Sequence, residues 1–432
     1  MSIIDRCAHP KARSPLEPLT ILLFILASML TWAQISQRAI RPVVINQADP
    51  EARLIELRWA LYWHFGVKYE IFSKIPKNQW TSAVETVLLT EFGHIKESQE
   101  RLRYTPEGAF RNCWEAAYGF GPMPSDKELA QVREGLSDGL AYKCLESSIA
   151  AKLNDGNAAE MRSNVLSRYK TKALMVFSVM IALFLAAVFG VWTGIKMLVN
   201  LGPMPESPHF QMFGVHAVNV CLGWYIVFLI SATVVAWINS VIPMGLCTLP
   251  AAYLLHAVSG ITFICAAEKI SPVALWKKIS PKNRVWLSAG IQFLFLALGS
   301  VLIITMLLSF FMTESESPQR ELVNFIRGNR DVLSFLVIFA TVAVLGPVFE
   351  EMFFRGFLLS LMRRLMSTWS ALVISSVIFG AIHFQLQALP VLVVLGGVLG
   401  FAFLRTNDVK TAIFVHVCWN GGVFLFQKLL LG

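Results

Sequence analysis

The chain has 432 residues, of which 55% are hydrophobic and only 15% are charged, and its formal net charge is +9. The mean hydropathy of +0.58 excludes an ordinary soluble globular protein and is typical of a polytopic membrane protein. The basic surplus lies mostly in short segments beside apolar runs, so membrane topology explains it and we expect no nucleic-acid partner.

Residues 1–36 combine a basic tail with an apolar run from Leu19 to Trp32. This pattern resembles a signal peptide, but no small-x-small cleavage site follows it, which favours a retained anchor. We therefore predict that the first transmembrane segment lies here.

Residues 37–172 form an insert of ordinary composition, with 19 of the 37 Lys and Arg and 17 of the 28 Asp and Glu of the whole chain. This composition predicts a soluble domain. Ser125 followed by Glu128 is a capping-box pattern, which predicts a helix that begins there and ends near Asp155. Apolar residues recur at helical spacing over three stretches, 51–65, 82–102 and 129–153. The insert is therefore predicted to be mostly helical.

Seven cysteines are present without a C-x-x-C pair, which excludes a zinc ribbon or a dithiol redox motif. Cys113 and Cys144 are the two that lie in the insert. A disulfide between them would indicate an oxidising compartment, but we favour two reduced thiols in a hydrophobic core.

From Ala173 onward the chain is almost continuously apolar. The runs cover 173–199, 214–242, 245–267, 285–312, 332–362, 369–386, 390–404 and 411–431. Together with the first run they predict about nine spans. We therefore predict an all-α polytopic membrane helix bundle with a helical soluble insert, divided into 1–36, the insert 37–172, additional transmembrane helices at 173–284, and a core at 285–432.

Basic residues between the apolar runs predict the orientation of the chain. The segment from Lys269 to Arg284 contains five Lys and Arg, and Arg363 and Arg364 follow a later run. The positive-inside rule then predicts a cytoplasmic N-terminus and an insert on the outer side. Three basic residues beside the second span, Arg168, Lys170 and Lys172, favour the opposite orientation, so the side of the insert stays open.

Three polar clusters interrupt the apolar runs of the last third of the chain. An ionisable side chain at membrane depth costs about 2–3 kcal/mol and is retained mostly for function. The clusters therefore predict a functional site within the membrane. They are Glu350-Glu351-Met352-Phe353-Phe354-Arg355, Phe379-Gly380-Ala381-Ile382-His383 and His416-Val417-Cys418-Trp419-Asn420.

In the first cluster, the spacing separates the two carboxylates. Glu351 and Arg355 are four residues apart and can pair along one helix face, whereas Glu350 points about 100° away. The Gly346-Pro347 step predicts that the helix either kinks or restarts just before them. One carboxylate is thus expected to be neutralised, while the other stays available for chemistry.

The other two clusters repeat the four-residue spacing. Phe379 and His383 share one helix face, and His416 and Asn420 share another. Either pair alone could serve helix packing. All three clusters can reach a common depth near the middle of the membrane, which favours one shared site.

These motifs, Glu-Glu-x-x-x-Arg, Phe-x-x-x-His and His-x-x-x-Asn, resemble those of the CPBP family of intramembrane proteases. That family includes the type II CAAX prenyl endopeptidases and the bacterial Abi-type proteins, and the resemblance covers roughly 285–432. It implies a peptidase in a prokaryotic plasma membrane, with a membrane-anchored or C-terminal peptide as substrate. The implied catalytic residues are Glu350 as general base, His383 as holder of the water, and His416 and Asn420 as oxyanion donors, with Glu351, Arg355 and Phe379 in support.

Other functions remain open from the sequence. Glu350, His383 and His416 could bind zinc, but no His-Glu-x-x-His helix is present and Asn420 is a poor zinc ligand, which favours a metal-free site without a cofactor. An ion-coupled transporter or binding protein could use the same residues, as could an inactive peptide-binding scaffold. The insert 37–172 is a candidate for binding a protein partner.

Overall fold

The computed structural model describes residues 17–40, 55–56, 59, 79–91, 93–119, 121–136, 139–212, 214–281, 285–309 and 331–431. The chain divides into two compact units. The first unit comprises Met1–Pro42, Ala186–Met306 and Asp331–Phe424, and the second comprises Val43–Leu185, Leu307–Arg330 and Leu425–Gly432.

The described part of the chain is helical and contains no strand. Its helices are α1 Glu17–Ile40, α2 Gln79–Glu91, α3 Ile95–Arg101, α4 Ala109–Tyr118, α5 Asp126–Gly135, α6 Leu140–Lys152, α7 Ala158–Val199, α8 Val215–Val241, α9 Thr248–Glu268, α10 Pro272–Ile279, α11 Trp286–Ser309, α12 Val332–Met362, α13 Thr368–Ala381, α14 Leu389–Thr406 and α15 Val409–Leu431. The predicted all-α fold is confirmed.

Seven helices of the described residues are long and apolar enough to cross a membrane, which confirms a polytopic membrane protein. They are α7, α8, α9 with the preceding turn, α11, α12, α14 and α15. The other two predicted runs form shorter apolar helices, Leu19–Thr31 within α1 and Thr368–Ala381. The latter is short because the chain leaves the helix in a turn at Ile382 and His383.

In the first unit, α1 packs on α8. Thr20 Oγ1 donates to Asn219 Oδ1 at 2.6 Å, and the hydroxyls of Thr31 and Tyr225 are 2.9 Å apart. Hydrogen bonds between polar side chains stabilise helix pairs in a membrane. The first apolar run is therefore part of the helix bundle.

Glycines allow α7 and α11 to approach closely. A Cβ atom on Gly194 would lie 2.5 Å from Leu296 Cδ1, and one on Gly299 would lie 2.6 Å from the carbonyl oxygen of Ala187. With Gly190, Gly194 forms a G-x-x-x-G pair, the spacing that places two small residues on one helix face. Larger side chains at these positions would separate the helices.

An aromatic cluster positions α12 against α8. The ring of Trp224 packs on three phenylalanines of α12, with centroids 5.9 Å from Phe349, 3.9 Å from Phe353 and 5.8 Å from Phe354. Gly260 of α9 faces the same rings, because a Cβ there would be 2.8 Å from both Phe349 and Trp224. This cluster holds in place the helix turn that carries Glu350.

One basic residue of the predicted loop from Lys269 to Arg284, Lys278, forms an ion pair. Lys278 Nζ lies 2.8 Å from Glu268 Oε2, and the same carboxylate accepts from the backbone N–H groups of Gln211 and Met212. Lys282 and Arg284 lie outside the described residues.

In the second unit, two predicted helices are broken. The predicted stretch 129–153 forms two helices, α5 and α6, instead of one. Glycines at the break leave room for large side chains: a Cβ on Gly135 would be 2.2 Å from Trp80, and one on Gly139 would be 2.2 Å from Glu56. The stretch 82–102 is interrupted at Gly93, whose φ of 85° is left-handed. The helix from Ser125 therefore ends at Gly135 and not near Asp155.

The capping box of α5 is confirmed. Ser125 Oγ accepts from the backbone N–H of Glu128 at 3.4 Å, and the Glu128 carboxylate accepts from the Ser125 N–H at 2.8 Å. The carboxylate also accepts from Asn112 Nδ2 at 2.7 Å. This hydrogen bond and those from Ser125 lower the pKa of Glu128 to about 2. Of the predicted helix 51–65, only Ile55, Glu56 and Trp59 are described, and they are helical.

Cys113 and Cys144 are buried free thiols in the core of the second unit. Burial raises the pKa of Cys113 to about 11 and that of Cys144 to about 12, with nearby carboxylates contributing less. Thiols that stay protonated are poor nucleophiles, which agrees with a packing role.

Candidate active site

The helix that carries the two glutamates neither breaks nor restarts at Gly346-Pro347. It passes through two π-helical segments, Ala340–Leu345 and Met352–Leu359, which flank the α-helical turn Gly346–Glu351. Leu345 is itself helical, so the second of the two predicted alternatives, a restart, does not occur, and the carboxylates do not lie at a helix end. Single π-helical turns inside α-helices are frequent at functional sites.

Proline in this register leaves one carbonyl without a backbone donor. The N–H of Gly346 bonds to the carbonyl of Thr341, five residues earlier. In the same register Pro347 would donate to Val342, but proline has no N–H. Asn420 supplies the missing donor, since its Nδ2 donates to the Val342 carbonyl at 3.1 Å. The third sequence motif is thereby fastened to the helix of the first.

Glu351, Arg355 and His416 form a buried polar cluster. Glu351 Oε1 accepts from Arg355 Nη1 at 2.8 Å, which confirms the predicted pair, and lies 2.7 Å from His416 Nδ1. Arg355 Nη2 donates to the carbonyl of Gly396 at 3.1 Å. The three side chains are almost fully buried. Their polar atoms therefore interact with one another instead of water, which holds His416 in one orientation.

His416 lies between the two glutamates. Its Nε2 is 3.9 Å from Glu350 Oε2, which is beyond hydrogen-bond length but within reach of a small movement. The Glu350 side chain is 19% exposed, whereas that of Glu351 is fully buried. As predicted, one carboxylate, that of Glu351, is paired, and the other, that of Glu350, is available.

Glu350 and His383 line one cavity of about 300 Å³. His383 lies in the turn that follows α13, where the last carbonyls of the helix lack backbone donors. His383 Nδ1 satisfies one of them, at 2.8 Å from the carbonyl of Phe379. A carbonyl only accepts, so Nδ1 carries a proton, and in the neutral ring Nε2 is the acceptor.

Phe379 packs against the polar residues from all three motifs. Its ring centroid is 5.1 Å from that of His383 and 5.8 Å from that of His416, both edge-on. The guanidinium carbon of Arg355 lies 4.3 Å from the same centroid. One fully buried phenylalanine therefore sets the spacing of these groups.

One wall of the cavity is formed by residues that belong to none of the three sequence motifs. Helix α9 contributes Leu249, Ala252, Tyr253 and His256 to it. Tyr253 and Glu350 both lie close to Gly346: a Cβ on Gly346 would be 3.0 Å from Tyr253 Cε1 and 3.5 Å from Glu350 Oε1. In the sequence, these four positions follow the spacing i, i+3, i+4 and i+7, which indicates that they share one helix face. This spacing could have identified them.

Within the described residues, no group of three or more His, Cys, Asp and Glu side chains is arranged to hold a metal ion. Of the predicted zinc ligands, His416 uses Nδ1 for Glu351 and keeps only Nε2 for other partners. The geometry gives the zinc alternative no direct support, and a chelator is needed to test it.

Comparison with known proteins gives a family match at 332–422, to the family described as "Type II CAAX prenyl endopeptidase Rce1-like". The chain is 32% identical over 85 residues to "Putative membrane peptidase YdiL" of Bacillus subtilis (strain 168), covering 20% of this chain but only 35% of that protein. It is 25% identical over 184 residues to "Membrane-embedded CAAX protease MroQ" of Staphylococcus aureus (strain USA300), covering 41% of this chain and 72% of that protein. No solved structure matches the chain.

Proposed function

Since residues 332–422 carry the CPBP family segment that the three motifs predicted, we propose that this chain is an intramembrane endopeptidase that hydrolyses a peptide bond near the membrane. The observation that supports this activity most directly is that Glu350 and His383 line one cavity, with His416 beside Glu350. A carboxylate, an imidazole acceptor and a second imidazole are the groups needed to activate water and to stabilise an oxyanion.

In the proposed reaction, a water donates one hydrogen bond to Glu350 and the other to Nε2 of His383. Its oxygen lone pairs are then directed at the substrate carbonyl. Glu350 removes a proton as the water oxygen forms a bond to the carbonyl carbon, which gives a tetrahedral oxyanion. When the C–N bond breaks, Glu350 returns that proton to the leaving amine. The carboxylate ends the cycle as it began, and no other reactant is consumed.

The oxyanion requires hydrogen-bond donors, and His416 is the first of them. Its Nδ1 faces Glu351, so donation from Nε2 requires a ring that carries protons on both nitrogens. In such a ring, Nδ1 still donates to Glu351 while Nε2 donates to the oxyanion.

Asn420 is the second proposed donor. One of its two amide N–H groups goes to the Val342 carbonyl, and the other remains for the oxyanion. The Val342 contact would orient the amide before substrate binds, which is how preorganised donors lower a reaction barrier.

We propose a membrane-anchored or C-terminal peptide as substrate. Aromatic and aliphatic side chains line much of the cavity, including Trp224, Phe228 and Phe349, and these suit an apolar peptide. The Staphylococcus aureus relative is named a CAAX protease, which supports the same class of substrate. The lipid bilayer surrounds the site, and the insert 37–172 is proposed to bind a protein partner.

We further propose that the protein resides in a prokaryotic plasma membrane with its N-terminus in the cytoplasm. Both reported relatives are bacterial membrane proteins, and the basic residues between spans favour this orientation.

Glu350→Gln tests the proposed activity. The substitution preserves size and hydrogen bonding but removes the base, so cleavage of membrane-anchored peptide reporters in proteoliposomes should fall by at least about 100-fold. Glu206→Gln, at an exposed carboxylate of the same unit, should cleave normally. Full activity in Glu350→Gln would overturn the base assignment. Ion-coupled uptake without proteolysis would favour a transporter, and reporter binding without cleavage by the wild type would favour an inactive scaffold.

A further inference from the structure

Helix α9 brings a second histidine into the cavity of Glu350 and His383. His256 lies outside residues 332–422 and outside the three motifs, yet it lines the same cavity as those two residues. Its side chain is only 6% exposed. An imidazole at this depth in a membrane span is costly unless its polar atoms find partners.

One nitrogen of His256 has a partner within the helix. Nδ1 lies 3.0 Å from the carbonyl of Ala252, one turn earlier. The carbonyl can only accept, so Nδ1 donates and, in the neutral ring, Nε2 is left as an acceptor. His383 has the same arrangement with its own preceding turn.

The ring of His256 is held from three sides. Its centroid is 5.5 Å from that of Phe228, 5.3 Å from that of Tyr253 and 5.6 Å from that of Phe349. Phe349 directly precedes Glu350 in the chain, so the His256 ring is held in position relative to the helix turn that carries Glu350. A ring packed in this way keeps its orientation, and because His256 lines the cavity, a group there can supply the hydrogen-bond donor for Nε2.

We propose that His256 is a substrate-binding residue, whose Nε2 accepts a hydrogen bond from a backbone N–H of the peptide substrate. The inference rests on the proposed function and adds the conformation of the substrate. In the proposed reaction Glu350 and His383 accept from the catalytic water, which leaves His256 as the acceptor for the substrate, and an α-helix has already used its N–H groups internally. The substrate segment that enters the cavity is therefore extended, with its N–H groups available.

Two substitutions separate binding from packing. His256→Phe keeps an aromatic ring among Phe228, Tyr253 and Phe349 but removes both nitrogens. His256→Gln supplies an amide oxygen near the position of Nε2. A contact made equally to substrate and transition state affects KM and not kcat, so His256→Phe should raise KM about 3- to 10-fold with kcat little changed, and His256→Gln should recover part of the loss. His216→Phe, at an exposed histidine at the start of α8, is the matched control.

The substrate provides a second readout. Replacing backbone N–H groups of a cleavable reporter one at a time by N–CH₃ should identify one position at which methylation raises KM for the wild type. At that position His256→Phe should show no further increase, because the acceptor is already gone. A purely structural residue would not produce this dependence on one substrate N–H.

The outcomes are distinct from those for the proposed function. An unchanged KM in His256→Phe, while Glu350→Gln is inactive, overturns the inference and leaves the protease intact. Equal losses in His256→Phe and His256→Gln, with lowered thermal stability and no methylation dependence, also overturn it. If Glu350→Gln keeps full activity, the proposed function fails first.

Discussion

The Nδ1 atom of His416 lies 2.7 Å from Oε1 of Glu351, the same oxygen that accepts a hydrogen bond from Arg355. One carboxylate oxygen thus serves a guanidinium and an imidazole in a buried cluster. The other oxygen of Glu351 has no hydrogen-bond partner among the described residues. Adjacent glutamates therefore have different surroundings, and substituting them should have different effects.

Glu351→Gln should destabilise the protein as well as reduce its activity. The substitution leaves Arg355 buried without its counter-charge, which typically costs about 3–5 kcal/mol. Thermal or denaturant unfolding in detergent measures this loss. Glu350→Gln is the matched control, because it leaves the Glu351–Arg355 pair in place and should unfold like the wild type. Equal stability of the two variants would contradict the assigned roles.

Asn420→Ala should reduce kcat on the order of 100-fold, as judged from oxyanion donors in other enzymes. It also leaves the Val342 carbonyl without a donor, which should cost about 1–3 kcal/mol of stability. Kinetics and unfolding on the same preparations separate the two effects. A donor that acts only in the transition state lowers kcat and kcat/KM equally. A rise in KM alone would argue against an oxyanion role.

Chelators should not change the activity. The proposed nucleophile is a water activated by Glu350, without a metal to lower its pKa. Activity after prolonged treatment with EDTA and with 1,10-phenanthroline, followed by addition of zinc, measures this. Loss on chelation that zinc restores would instead support zinc at Glu350, His383 and His416.

The insert 37–172, expressed alone, should be soluble and helical and should lose stability in acid partly through Glu128. Hydrogen bonds from Asn112 and Ser125 lower the pKa of Glu128 from 4.5 to about 2. A lowered folded-state pKa gives stability that is present above the unfolded pKa and lost as the pH falls from about 4.5 to about 2. Urea unfolding followed by circular dichroism at both ends of this range should show a smaller loss for Glu128→Gln than for the wild type. Glu107→Gln, at an exposed carboxylate, should behave like the wild type.

Relations within one helix were accessible from the sequence. The Glu351–Arg355 pair and the Ser125–Glu128 capping box follow from helical geometry over three or four residues, and both are confirmed. The family resemblance also rests on local motifs, and the family match bears it out over residues 332–422. Two helix breaks were missed. The break at Gly93 depends on the left-handed conformation of that glycine, and the break between α5 and α6 depends on side chains that are distant in the sequence but pack against Gly135 and Gly139.

The sequence by itself determined that this is an all-α membrane protein with ionisable groups where lipid would exclude them, because composition and short-range periodicity carry that information. Only the tertiary structure decided which of those groups meet. His416 contacts Glu351 across 65 positions, and Asn420 contacts Val342 across 78. His256, which belongs to no motif, shares a cavity with Glu350 because Gly260 and Gly346 let α9 approach α12. Such contacts depend on how helices pack, and residue spacing along one helix does not encode them.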